Sequence, residues 1–191
     1  KLTLSAGKPL IFPHASATMS DAIHRAGFTH ITDLDGLETH DCFSVTEYMA
    51  IDHSGLTAPG ESWKAIEEGR ITRDGDFPIN PSGGLIGLGH PVGATGVRMV
   101  LDCARQVTGR AGGYQLPQAQ NMLTFNVGGS TTTCASFVFR SCSSMAGRSL
   151  SCLTAIRVSF LRASRAFLAV SNRCLPKSMM RTTIGRASAA T

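Results

Sequence analysis

The stretch NPSGGLIGLGHPVGATG, Asn80 to Gly96, holds six glycines and two prolines. That much backbone freedom, with two amide donors missing, excludes a helix or strand interior. The stretch reads as the core of a long ordered loop, from about Asp74, that feeds a helix over Thr95 to Val107. That helix places Val97, Val100, Leu101 and Ala104 on one apolar face. Gly87 and Gly89 give G-x-G, but Val92 stands where a dinucleotide loop needs its third glycine, and no Gly-Lys-Ser/Thr is present for a phosphate loop. What the loop offers instead is His90, held between Gly89 and Pro91 at the rim of the helix. Pro91 suits a first helical position, and an imidazole fixed there is placed as a base or an oxyanion donor. A loop histidine bonded to a backbone carbonyl is the plain alternative.

Outward from the loop, helical and extended patterns alternate. Met19, Ala22, Ile23 and Ala26 recur at helical spacing from Ser16, with Ser16 or Ser20 as a cap and Gly27 as a stop. Phe28 to Leu34 reads as a short strand, GLETHDCF as a polar loop, and Ser44 to His53 as a helix. A helical turn from Glu61 to Glu68 stops at Gly69. Beyond the long loop, Met122–Val127 and Thr132–Phe139 read as two strands joined at Gly128-Gly129. Helices, strands and one long loop in this order predict an α/β layered domain.

Two further clusters carry chemistry. His40-Asp41-Cys42-Phe43 precedes a helix, whose dipole favours a thiolate at its N-terminus. If that segment is extended, side chains 40 and 42 point the same way, which suits proton transfer or thiol chemistry. No second pair with ligand spacing exists, so no metal site is expected. The plain reading is a buried cysteine beside a capping polar pair. Asn126-Val127-Gly128-Gly129 could present consecutive amides to an oxyanion, or be an ordinary hairpin turn.

Taken together, HDCF at 40–43, NPSGGLIGLGHPVGATG at 80–96 and NVGGSTTTCASFVF at 126–139 resemble the C-terminal half of a thiolase, and within that family the sterol-carrier-protein type. The resemblance covers about Ser16 to Phe139. It implies a layered αβα half with a mixed sheet, and acyl transfer on coenzyme A thioesters with CoA as substrate and no other cofactor. His90 matches the Gly-His-Pro histidine that activates the nucleophile. His40 takes an oxyanion position that other thiolases give to asparagine, and Cys42 takes the acid/base role at the acetyl α-carbon. Gly89, Asn126, Gly128 and Gly129 fall at oxyanion or substrate-binding positions. Cys134 lies in a strand pattern and reads as core. The nucleophilic cysteine and the CoA-binding loop belong to family regions that precede these motifs, so the 191 residues alone are expected to lack thiolysis. The implied partners are acyl-CoA, CoA and an N-terminal half, with a homodimer when full length and a mitochondrial or peroxisomal setting. A non-catalytic thiolase-like module and a β-ketoacyl synthase are the rival readings. Cys42 argues against the synthase, whose decarboxylating condensation needs no second thiol.

Composition sets the outer bounds. Apolar residues make up 42%, which excludes wholesale disorder, and no run of about 18 apolar residues suits a membrane-spanning helix. The net charge of +5 is unevenly placed: residues 1–102 carry seven basic and thirteen acidic side chains, whereas 103–191 carry eleven basic and no acidic ones. The basicity therefore belongs to the C-terminal part and is no argument for nucleic-acid binding by the fold. Six cysteines without ligand-like spacing read as reduced thiols inside a cell. The chain divides into an irregular segment 1–15, a domain 16–140 and a Ser/Arg-rich tail 141–191 outside the fold. Three readings of the tail compete: a basic arm with Leu153, Ile156, Phe160, Leu161, Phe167 and Leu168 on one helical face, a targeting segment, and a non-native extension. The last fits best, because the preceding strand completes its pattern at Phe139.

Overall fold

Strand β1 spans Gly36–Thr39 and β2 spans Asn121–Gly128; they run parallel, with Gly36 opposite Met122 and Thr39 opposite Phe125. β3, Thr133–Arg140, returns antiparallel to β2. β4, Ala155–Phe160, lies antiparallel to β3, which completes a mixed sheet in the order β1-β2-β3-β4. The computed structural model describes residues 9–128, 133–141 and 155–160. Among them the α-helices are α1 (Pro13–Arg25), α2 (Ser44–Ser54), α3 (Ser62–Glu67), α4 (Gly84–Leu88) and α5 (Thr95–Val107).

Alternation along β2 splits the core between two faces. Leu123 and Phe125 join Met19 and Ile23 of α1 and Ala50 and Ile51 of α2 on one side. Met122, one residue out of phase, joins Cys103 and Val107 of α5 on the other. Helices thus cover both faces of the sheet, the layered αβα arrangement. Phe125, Met122 and Leu123 are fully buried, and each stabilises the fold by about 1.5–3 kcal/mol.

The structure corrects several sequence expectations. α1 begins at Pro13, three residues before Ser16, because proline lacks the amide that the first turn leaves unpaired anyway. Phe28–Leu34 is no strand; it holds a 3-10 turn over Ile31–Asp33, with the Asp33 carboxylate accepting from the amides of Thr29 and His30. The strand is GLET, part of the stretch read as a polar loop, and all four of its residues are buried. Both edges of β1 are paired: β2 on one side, and on the other Pro78–Asn80, where the Leu37 amide donates to the Pro78 carbonyl at 3.0 Å and the Asn80 amide to the Leu37 carbonyl at 2.7 Å. The long loop itself contains α4.

α5 has the expected bounds and the opposite buried face. Met99, Asp102, Cys103, Gln106 and Val107 turn inward, while Val97 and Leu101 stay exposed at 71% and 46%. The inward polar groups find partners there: Asp102 accepts through Oδ1 from the Tyr114 hydroxyl at 2.8 Å, its Oδ2 lying 3.7 Å from Arg98, and Gln106 bonds the backbone of Tyr114 and Leu116. The apolar stripe is left facing out. Finally, the tail expected to lie wholly outside the fold contributes β4. Along the sequence Ile156, Val158 and Phe160 alternate with Arg157 and Ser159, which is a strand period.

Candidate active site

The parallel strands β1 and β2 end at the same edge of the sheet, and the candidate residues gather there. The His40 amide donates to the Phe125 carbonyl at 3.1 Å, which carries the end of β1 alongside β2 just before Asn126. Beyond it, His40 and Cys42 are half-buried while Asp41 between them is buried, the alternation of an extended segment. Asp41 turns inward, leaving His40 and Cys42 partly open on either side of it.

Asp41 is a clamp that sequence reasoning quoted without giving it a role. Its carboxylate accepts from the Leu85 amide at 2.7 Å, at the start of α4. Gly84 has a positive φ of 60°, and a Cβ built there would lie 2.2 Å from Asp41 Oδ2, so only glycine fits. Two more groups of β1 grip the same loop. The Thr39 amide donates to Asn80 Oδ1 at 2.7 Å, and Asn80 itself adopts φ 51°, which asparagine tolerates better than most residues. Glu38, fully buried on the α5 side, accepts from the Ser82 hydroxyl at 2.7 Å and the Ser82 amide at 3.1 Å. Burial pushes its carboxyl up to about 7, with the Ser82 hydrogen bonds opposing. From α5, Arg98 adds a hydrogen bond to the Gly84 carbonyl at 3.2 Å. The glycine-rich loop is thus tied at Asn80, Ser82, Gly84 and Leu85.

From those ties the chain delivers His90 to His40. The two rings meet edge to face, centroids 4.7 Å apart and planes at 89°. Burial, then the neighbouring His90, hold the His40 imidazole below its ordinary range, with Asp41 opposing. His40 is therefore neutral at neutral pH, which suits a hydrogen-bond donor more than a cation. His90 Nδ1 lies 2.7 Å from the Thr95 hydroxyl at the start of α5. Asn126 reaches the same helix start, its side-chain oxygen 3.3 Å from where a Cβ on Gly96 would sit.

Cys42 sits at the N-terminal entry to α2. Thr46, one turn in, engages its hydroxyl with the carbonyls of His40 at 2.8 Å and Phe43 at 2.6 Å, and meets Cys42 Sγ at 3.9 Å. Cys103 and Cys134 differ in kind. Burial drives the Cys103 thiol far up and the Cys134 thiol to about 11, so neither is a nucleophile near neutral pH. Gly128 closes β2 in an exposed position and Gly89 ends α4 at φ 84°; Gly129 lies outside the described residues. Among the described residues no three His, Cys, Asp or Glu side chains gather as a metal site.

Residues 1–141 match the thiolase C-terminal domain-like family. The chain belongs to that family. It is 42% identical over 107 residues to an acetyl-CoA acetyltransferase of Methanothermobacter thermautotrophicus, which covers 56% of this chain and 28% of that protein. It is 42% identical over 97 residues to sterol carrier protein 2 of Bos taurus, covering 51% of this chain and 18% of the other. A benzoylsuccinyl-CoA thiolase subunit of Thauera aromatica shares 32% over 98 residues, 26% of its length. Among solved structures, the Ltp2-ChsH2(DUF35) aldolase superposes with a TM-score of 0.56 at 21% identity, over 63% of this chain and 31% of that one, a likeness of fold. The matched region thus spans between 18% and 31% of these proteins. No helix among the described residues is long and apolar enough to cross a membrane.

Proposed function

We propose that this thiolase C-terminal domain supplies the acid/base and oxyanion half of an acyltransferase site. The reaction is thiolytic cleavage of a 3-ketoacyl-CoA to acetyl-CoA and a shortened acyl-CoA, or the reverse condensation. The observation that carries the reading is the edge-to-face pairing of His40 with His90 at the sheet edge, with Cys42 two residues from one of them. A cysteine from a partnering half attacks the keto carbon, and His90 takes its proton. The C–C bond breaks, and the electron pair leaves on the α-carbon of acetyl-CoA, where the Cys42 thiol protonates it. The Cys42 thiolate then takes the proton of the CoA thiol as its sulfur attacks the enzyme thioester, and the departing cysteine regains its proton from His90. His40, neutral and half-buried, is placed to donate to the thioester oxygen as charge develops there. Asn126, Gly89 and the amides near Gly128 and Gly129 complete the oxyanion and substrate positions.

The exposed apolar residues Phe43, Ile86, Val92, Val97 and Leu101 flank this edge, and they support coverage by the nucleophile-bearing half. The test is a chimera in which residues 16–140 replace the matching segment of the archaeal acetyl-CoA acetyltransferase. Acetoacetyl-CoA thiolysis is expected from the chimera and not from the 191 residues alone. Cys42→Ala and His90→Ala should each lower kcat by about 10²–10⁴. A chimera that folds, binds acetoacetyl-CoA and turns it over equally well without Cys42 overturns the reading, as does CoA-dependent cleavage by the isolated chain that His90→Ala abolishes.

A further inference from the structure

We infer that Thr95 fixes the tautomer of His90, keeping the ring proton on Nδ1 so that Nε2 is the nitrogen that takes and returns protons at the site. Thr95 opens α5 and is 1% exposed, so water does not compete for its hydroxyl. The Oγ1 atom has two partners, His90 Nδ1 at 2.7 Å and the Pro91 carbonyl at 3.2 Å. A carbonyl oxygen only accepts, so the hydroxyl proton goes to Pro91 and the oxygen is left to accept from Nδ1–H. A neutral imidazole that donates through Nδ1 carries its lone pair on Nε2.

The local backbone holds that arrangement in place. The Pro91 carbonyl also accepts from the amides of Ala94 at 2.7 Å and Thr95 at 3.0 Å, which winds 91–95 into one tight turn. Threonine is stiff at χ1, so the turn aims the hydroxyl as well as the backbone. His40 packs edge to face on the His90 ring and fixes its plane.

The consequence is a site that needs no tautomer exchange during turnover. When Nε2 gains a proton the ring becomes imidazolium, and the Nδ1–H bond to Thr95 persists. When Nε2 returns the proton, the starting tautomer is restored. Thr95 is therefore a positioning residue, acting only through His90. Its catalytic meaning rests on the proposed thiolytic role; the tautomer itself does not.

The experiment is two-bond imidazole ¹H–¹⁵N correlation on the uniformly labelled 191-residue chain, at a pH where the rings are neutral, with His90→Ala for assignment. His53 is an internal folding control, because its Nδ1 donates to the Met49 carbonyl at 2.8 Å and its Nε2 accepts from the Phe12 amide at 3.1 Å. His90 is expected in the Nδ1–H form in the parent chain and in Thr95→Ser. In Thr95→Val the Nε2–H form should become the major one while the His53 pattern is unchanged. If Thr95→Val loses the His53 pattern, Thr95→Ala takes its place with the same expectation. An Nε2–H His90 in the parent chain, or an Nδ1–H His90 that survives loss of the hydroxyl in a folded variant, overturns the inference. An inactive chimera with the expected tautomer would instead count against the proposed function alone.

Discussion

Asp41→Ala and Gly84→Ala form a pair whose combined effect can be worked from the structure. Asp41 is 3% exposed and accepts from the Leu85 amide, which is itself buried. Truncation removes a charge-assisted hydrogen bond and leaves a buried donor unpaired, a loss of about 1.5–3 kcal/mol. Gly84→Ala meets two penalties. Alanine at φ 60° costs about 1 kcal/mol, and the new methyl lies 2.2 Å from Asp41 Oδ2 and 2.8 Å from its Cγ, where overpacking adds about 1–3 kcal/mol. All three atoms nearest that methyl belong to Asp41. In the double variant the clash disappears and Gly84→Ala should cost only about 1 kcal/mol, the backbone part. Urea unfolding followed by circular dichroism gives the four stabilities, and amide exchange at Leu85 reports the local bond. Losses that add to within about 0.5 kcal/mol would refute the clamp, because they would mean the two residues do not touch. Full protection of the Leu85 amide in Asp41→Ala would refute it as well.

Other perturbations follow from the same geometry. His53 is buried, and that burial lowers its folded pKa below 6.5 against the pull of Met49 and Asp52. Its stabilisation is therefore complete above about pH 6.5 and declines as the pH falls toward the lowered value; His40, shifted the same way, adds to the decline. Unfolding free energies from pH 7 to 5 should fall less steeply in His53→Gln than in the parent. Glu38 has the opposite sign. Its folded carboxyl, raised to about 7 from 4.5, contributes fully below about pH 4.5, and that contribution is lost as the pH rises to about 7, on the order of 3 kcal/mol. Glu38→Gln should flatten that part of the stability profile between pH 5 and 8; an unchanged profile would place the carboxyl in water. Gln106→Leu should cost about 2–4 kcal/mol in urea unfolding, since Gln106 Oε1 accepts from the Leu116 amide at 2.9 Å and Nε2 donates to the Tyr114 carbonyl at 2.8 Å.

What the sequence made legible was the part ruled by local chemistry. Six glycines between Asn80 and Gly96 mark a long loop, though the short α4 still winds inside it, and α2, α5 and the β2–β3 pair follow from their own periodicities. β1 escapes because Gly-Leu-Glu-Thr has no strand pattern; it is buried through partners in Pro78–Asn80 and in β2, both distant in sequence, and its Glu38 is inward because Ser82 satisfies it. The face of α5 was misread for a related reason. Hydrophobicity ranks Val97 and Leu101 above Asp102 and Gln106, and only the hydrogen bonds from 114–116 reverse the order. At the site, His40, Cys42 and His90 stand in recognisable motifs, while Asp41, Asn80 and Arg98 gain their meaning from bonds to distant backbone and Thr95 from its bond to the His90 ring. Asp41 had a signal in retrospect: it alternates with His40 and Cys42, so if those two face the site, it faces the protein.

The most direct measurement of the central claim is deuterium uptake from D₂O into the acetyl group of acetyl-CoA. It would use the chimera with the partner segment's nucleophilic cysteine replaced by serine, so that α-carbon proton transfer must come from residues of this chain. Uptake that persists in that background and disappears on Cys42→Ala is the expected result. Uptake indifferent to Cys42, or absent in a chimera that binds acetyl-CoA with Cys42 intact, would contradict the assignment of the acid/base half to this domain.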